Sequence, residues 1–235
     1  MTFGLAPGEW AIIALSLRVS LVAVLLALPP AYAVAWLLAR RRFPGRVLVD
    51  ALAHLPLVLP PVVTGWLLLI AFGRTGPVGA WLENSLGVTL VFRWTGAALA
   101  AAAMAFPLVV RAIRLSIENV DRRLEQAART LGATPLRAFL TITLPLSAPG
   151  IAAGAMLGFA RSLGEFGATI TFASNIAGET RTLPLAIYSG LQTPGAESMV
   201  ARLAMISVVL SVAALVLSEW LVRRSGSTGG RGHVL

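Results

Sequence analysis

The chain has no cysteine, no lysine and only two histidines, and charged residues fill just 12% of its 235 positions. Each shortage excludes something. Without cysteine there are no disulfides, iron–sulfur clusters or thiolate metal sites. His54 and His233 lie far apart in the chain, so no metal site is expected. No Gly-x4-Gly-Lys-Ser/Thr phosphate loop occurs, so the chain does not carry its own ATP-hydrolysing site. No Ser/His/Asp or paired-carboxylate constellation appears at usable spacing, and no catalytic residue is expected. A soluble domain carries about 25% charged residues. A chain with half that content has lipid as its natural solvent.

What is present fits that solvent. Apolar residues make up 57% of the sequence, and the net charge of +9 comes entirely from arginine on the positive side. A nucleic-acid binder has a similar bulk charge, but here the arginines flank apolar runs, as in the cytoplasmic loops of membrane proteins. No nucleic-acid partner is expected. A spanning helix needs about 20 mainly apolar residues. Five segments meet or approach this, at about 10–39, 47–72, 94–110, 149–172 and 199–222. The expected fold is therefore an all-α polytopic membrane protein. It has one transmembrane domain over 1–225 and a flexible tail over 226–235. The first apolar run is too long for a cleavable signal peptide and has no charged segment before it.

Arginine placement predicts orientation. Arg40, Arg41, Arg42 and Arg46 crowd the first connection, and Arg111, Arg114, Arg122, Arg123, Arg129 and Arg137 the third. Arg223, Arg224 and Arg231 follow the last span. The opposite side holds only Arg74, Arg93, Arg181 and Arg202. Positive loops stay inside, which puts the N-terminus outside and the C-terminus in the cytoplasm. The loop over 73–93 has room for a short interfacial helix around 81–86. Pro29, Pro30, Pro56, Pro60 and Pro61 fall inside the first two runs. Each removes a helix hydrogen bond and favours a kink. The bend is either passive or the mark of a helix lining a cavity that changes shape.

The polar stretch over 114–147 carries good helix chemistry. Asp121 can cap a helix with Leu124, Ala127, Ala128 and Leu131 on one face. Gly132 is the expected terminator just past its end. Thr134 and Pro135 then read as N-cap and first residue of a second short helix, which offers Leu136, Phe139 and Leu140. A mere connector needs no apolar faces; exposed ones argue for a docking partner.

Here the sequence resembles a known family. Gln126-Ala127-Ala128, three residues, Gly132, nine residues, Ile142, one residue and Leu144-Pro145 is similar to the EAA loop of ABC importer permeases. Gln126 stands where that pattern begins with Glu, and Glu125 lies one residue earlier. Three further stretches, 54–63, 159–172 with 178–184, and 192–195, resemble molybdate transporter permeases in particular. The sulfate and thiosulfate permeases are relatives, and tungstate is an alternative anion. The resemblance implies a permease homodimer in the bacterial inner membrane, surrounded by lipid. Two cytoplasmic ATPase subunits would dock on it, and a periplasmic or lipoprotein binding protein would deliver the anion. It implies no cofactor in this chain, since ATP and magnesium sit on the ATPase. Glu125, Gln126, Ala127, Ala128, Leu131, Gly132 and Leu136 are the implied ATPase-coupling residues.

The fourth span adds pathway and packing candidates. Gly150, Gly154 and Gly158 repeat every four residues, a small-residue face used for close packing within a chain or between copies. Arg161 and Glu165 are spaced to pair across one turn. They are either a self-neutralising structural pair or functional residues. Because Glu165 cancels most of the Arg161 charge, no tight anion site is expected in the pore. Weak passage would use Ser162, Thr169, Thr171 and backbone near Gly164 and Gly167. His54 is expected to pack at the interface, with Asp50 one turn away as a weak polar contact. On the outer side, Glu179 and Arg181 are candidate contacts for the binding protein.

Overall fold

The structure is a computed structural model that describes residues 6–226. Eleven α-helices and one π turn account for most of these residues, and no strand occurs among them. The tail expected over 226–235 lies almost wholly outside the described residues.

Helix α1 (Pro7–Arg40) runs unbroken through Pro29 and Pro30. At 1.5 Å per residue its 34 residues measure about 50 Å, well beyond the roughly 30 Å hydrocarbon core. Its buried face is small: Ser16, Val19, Ser20, Ala23, Ala27, Ala31 and Ala35. It packs on α5 (Trp94–Asn119), whose alanines 97, 98, 100, 101, 102 and 105 are all buried. Small residues on both helices let the backbones approach closely, which in lipid is the main source of helix association.

Three expected spans differ in the structure. The run over 47–72 is not one helix. It divides into α2 (Arg46–Val58) and α3 (Pro61–Phe72), bent by 117°. The cause is local. Pro60 and Pro61 have no amide N–H to continue the ladder, and Leu59 before them is driven into extended backbone (φ −71°, ψ 143°). At 13 and 12 residues, neither half reaches about 30 Å alone. The third helix, expected to end near 110, continues to Asn119, so Arg111 and Arg114 lie on it and not in a loop. The fourth run, expected over 149–172, begins earlier and then breaks. A short helix α6 (Arg122–Thr130), one turn of α7 (Pro135–Ala138) and a π turn (Phe139–Thr143) lead into α8 (Leu144–Leu163). After three residues the chain resumes as α9 (Gly167–Ala173).

The remaining helices are α4 (Pro77–Leu86) in the loop where an interfacial helix is expected, α10 (Leu183–Leu191) and α11 (Glu197–Gly226). Helix α10 has no counterpart among the expected elements. At nine residues it is too short to register as a span. Leu183 and Ala186 of α10 join Ile13 of α1 and Leu203 of α11 in a small core.

Helix α5 is the axis of the bundle, touching α1, α2, α3, α8 and α9. The Gly150, Gly154 and Gly158 stripe of α8 faces it. A Cβ on Gly150 would lie 2.2 Å from Ser116 Cβ, and one on Gly158 would lie 2.8 Å from Val109 Cγ2. The stripe therefore serves packing inside the chain and is not free for a second copy. Large apolar side chains stay exposed along α1, α2, α3 and α11, among them Leu25, Val47, Val58, Trp66, Val208 and Val216. Such a surface requires lipid or partner subunits.

Candidate functional site: the α6–α7 turn and the interrupted spans

The turn between α6 and α7 is built by local chemistry. The Asp121 side chain accepts from the Arg123 amide at 2.9 Å and caps α6. At the other end Gly132 adopts φ +89°, and the Ala133 amide donates to the Ala128 carbonyl at 3.0 Å. The Gly132 amide donates to the Arg129 carbonyl at 3.1 Å, which completes a Schellman ending. Thr134 then caps α7 by accepting from the Arg137 amide at 3.2 Å.

The exposed side of the turn is apolar. Leu131 is 89% exposed and Leu136 67%, with Leu124 and Leu140 also turned outward. Gln126 and Ala127 are exposed and Ala128 is half-buried. Phe139 departs from the face assigned to it. Its ring turns inward, 5.9 Å from Tyr32 and 6.2 Å from Trp36. Phe139 stands at the start of the π turn and packs edge-on against these two rings of α1.

Glu125, not Gln126, makes the inward polar contact. Its Oε1 lies 3.0 Å from Arg40 Nη2 and accepts a hydrogen bond from Thr143 Oγ1. The Arg40 side chain is only 7% exposed and also donates to the Val120 carbonyl at 3.1 Å. Arg122 donates to the Ala39 carbonyl at 3.0 Å, and Tyr32 Oη lies 3.1 Å from Ser147 Oγ. The turn is thus clamped to the end of α1 and the start of α8 while its leucines face out. Sequence reasoning missed Arg40. In the run Arg40-Arg41-Arg42 nothing distinguishes the buried arginine from its neighbours. It also missed a second polar cluster. Asp50 of α2 accepts both of its bonds from Arg114 Nη1 at 3.1 Å, and Arg114 Nε donates to Glu118 at 2.9 Å. His54 Nδ1 sits 3.2 Å from Asp50 Oδ1, the contact its spacing allows. Asp50, His54, Arg111, Arg114 and Glu118 line a cavity of about 500 Å³.

Within the bundle, Arg161 and Glu165 do pair, Nη1 to Oε2 at 2.7 Å. Glu165 is 2% exposed and the Arg161 side chain 27%. Ser162 and Thr169 are buried, and Ser162 Oγ, like Thr64 Oγ1 on α3, has no hydrogen-bond partner among the described residues. Gly164 lies exposed in the break after α8. Helix α9 lies along α3. A Cβ on Gly167 would sit 2.7 Å from Pro61 Cβ, and one on Gly65 would sit 2.7 Å from the Ala168 carbonyl oxygen. The break in the second span and the break in the fourth are in contact, and glycine at both positions makes that contact possible. Gly154 lies apart from this seam, near Val109 and Ala112 of α5.

The other end of the bundle gathers the remaining charges. Glu9 of α1 is 3% exposed and accepts from Arg202 Nη2 of α11 at 2.7 Å. Arg18 stacks over Trp94, 3.7 Å from the ring centroid. Glu179 is half-buried and accepts from the Trp94 amide at 3.3 Å, at the N-terminus of α5. Arg181 Nε donates to Asn175 Oδ1 at 2.9 Å. Both of these rim residues already have partners within the chain.

Residues 31–227 match the family described as binding-protein-dependent transport system inner membrane component. The chain is 59% identical to the molybdenum transport system permease protein ModB of Haemophilus influenzae, over 96% of this chain and 99% of that one. It is 59% identical to ModB of Escherichia coli K12 over 97% and 99% of the two chains. The sulfate transport system permease protein CysT of Escherichia coli K12 is 41% identical over 78% of this chain and 65% of that one. Among solved structures, a bacterial ABC transporter for the import of alginate superposes with a TM-score of 0.71 at 19% identity, covering 94% of this chain and 80% of that one. The inward-facing methionine transporter MetNI superposes at 0.62 with 17% identity over 93% and 94%. At such identities the structures speak for the fold alone. With the family pattern over most of its length and near-complete alignment to two molybdenum permeases, the chain belongs to the inner membrane components of binding-protein-dependent transport systems.

Proposed function

We propose that this chain is the transmembrane permease subunit of an ATP-driven molybdate importer. It forms the translocation pathway and couples to a separate ATPase, which holds the ATP and magnesium. The observation that carries the reading is the 59% identity to molybdenum permeases over nearly the whole of both chains. The 41% identity to a sulfate permease covers less of each chain and makes sulfate the second reading. Uptake into proteoliposomes holding the permease, its ATPase and its binding protein tests the choice. Molybdate uptake that a tenfold excess of sulfate leaves unchanged is the expected result; equal competition by sulfate reverses the order of the two.

The working unit in this reading is a permease homodimer in the bacterial inner membrane, with two ATPase subunits below and an oxyanion-binding protein above. One related structure is described as an alginate transporter in complex with a periplasmic protein, which supports this plan. The exposed Leu131 and Leu136 seat the turn in a groove of the ATPase, where apolar anchors gain most from burial. The Glu125–Arg40 clamp passes the resulting movement to α1 and α8. Ten arginines, at positions 40–46 and 111–137, gather at this end, and five, Arg18, Arg74, Arg93, Arg181 and Arg202, gather at the other. That asymmetry supports a cytoplasmic C-terminus and an N-terminus outside. A single cysteine at Arg42 should resist labelling by an impermeant reagent added to intact cells; labelling from outside reverses the orientation.

The anion passes beside the α3–α9 seam, past Arg161, Ser162, Thr169 and Thr171. With Arg161 neutralised by Glu165, the pathway holds the dianion weakly, and selection falls to the binding protein. Glu179 and Arg181 lie where that protein docks.

A further inference from the structure

Helix α9 is seven residues long, far too short to hold itself together. Its first amides need acceptors that lipid does not provide. Phe166, at its N-cap position, offers no side-chain cap. The Ala168 amide instead donates to Glu165 Oε1 at 2.8 Å, in the buried interior. The other oxygen of the same carboxylate, Oε2, is held by Arg161 Nη1 on the last turn of α8. One carboxylate thus bridges both sides of the break. Around it, Gly164 has open space, the Glu165 amide donates to the Ser162 carbonyl at 3.2 Å, and the Phe166 ring meets that of Tyr188, centroids 5.0 Å apart. Beyond the break, α9 is in tight contact with α3 through Gly167–Pro61 and Gly65–Ala168.

We infer that Glu165 is a positioning residue: its carboxylate, spanning from Arg161 on α8 to the Ala168 amide on α9, sets the angle of α9 and so keeps the seam with α3 closed. The paired charges serve geometry. Arg161 orients the carboxylate, and the carboxylate caps the short helix. Loss of one partner leaves an uncompensated charge in the interior, which seeks water and pulls the break open. Loss of both charges with the acceptor retained keeps the cap. The inference rests on the reading that the seam borders the pathway, and its test separates the two.

The natural chain has no cysteine, so Thr169→Cys gives a single reporter. Thr169 sits on α9 at 1% exposure. The assembled transporter in proteoliposomes is treated with a membrane-impermeant thiol reagent. In the Thr169→Cys background, Glu165→Ala should label at least tenfold faster than the unmodified site. Glu165→Gln, whose amide oxygen still accepts from Ala168, should fall between them. Arg161→Ala should label fast, and Arg161→Ala with Glu165→Gln should be slower than Arg161→Ala alone. Equal labelling of Glu165→Ala and the parent overturns the inference. Should Glu165→Ala fail to insert, the last pair decides: a double variant no slower than Arg161→Ala overturns it too. Faster labelling with unchanged molybdate uptake and unchanged ATP hydrolysed per anion supports the positioning role and removes the seam from the pathway.

Discussion

The α6–α7 turn and the α3–α9 seam use the same residue types for opposite ends. Both depend on glycine, but Gly132 has nothing within 4 Å of a Cβ and needs only its φ of +89°, whereas Gly65 and Gly167 have ordinary backbone and no space. Both contain a Glu–Arg pair. At the turn, Glu125 keeps 28% of its side chain exposed; at the seam, Glu165 is sealed at 2%. In the proposed function the turn is a docking element, and its apolar side chains are held outward by local caps. The seam is a packed contact whose polar side chains are held inward. A surface meant for a partner tolerates small changes of shape, while a contact inside the membrane does not.

Substitutions can widen or collapse that contrast. The largest effect is expected from overpacking. Gly150→Leu drives a side chain into Ser116, whose Cβ lies 2.2 Å from the first added atom. Extra methylenes in a packed core cost about 1–3 kcal/mol, and here the neighbour is a whole helix. The detergent-purified protein should lose its monodisperse peak or melt well below the parent; normal behaviour would show that α8 can shift away from α5.

Arg40→Ala comes next. It leaves Glu125 half-buried without its cation and the Val120 carbonyl without a donor. A polar group left unpaired costs about 1–3 kcal/mol. The turn should detach from α1, so limited proteolysis at Arg122–Arg123 should speed up severalfold while the spans stay protected. Unchanged cleavage would make the clamp dispensable.

Gly132→Val should cost roughly 1–2 kcal/mol for a left-handed residue with a Cβ, and more for a β-branched one. The space around it is empty, so the damage stays local. Insertion should be normal while capture of the ATPase falls severalfold. Leu131→Asp should show a milder loss without a change in melting temperature. Wild-type transport by Gly132→Val would reduce the turn to a connector.

The smallest effect belongs to Arg181→Glu. Arg181 is half-buried and its side chain donates to the neutral amide of Asn175, so the change breaks no ion pair. Stimulation by the binding protein should weaken and become more salt-dependent, with ATPase assembly intact. Loss of assembly would move the docking surface elsewhere.

The two regions were not equally legible. At the turn, Asp121, Gly132, Thr134 and Pro135 act on backbone within three or four residues, and each expected cap is present. Phe139 was misassigned because its contact with Tyr32 and Trp36 of α1 is tertiary and leaves no mark in the local pattern of apolar residues. At the seam, the Arg161–Glu165 spacing disclosed the pair, and the prolines disclosed that the second run would bend. Neither disclosed that Gly167 would meet Pro61.

The sequence alone determined the solvent, the helical class and the capped turn between α6 and α7, because hydropathy, charge placement and capping act through neighbours along the chain. It also determined kinship, since motif spacing survives in linear order. Tertiary structure alone decided which of three adjacent arginines is buried, that the glycine stripe faces α5, and that two broken spans close on each other. Those outcomes depend on contacts between residues up to about a hundred positions apart, such as Pro61 with Gly167. Which surfaces meet is set by the packing of whole helices, and no single segment encodes it.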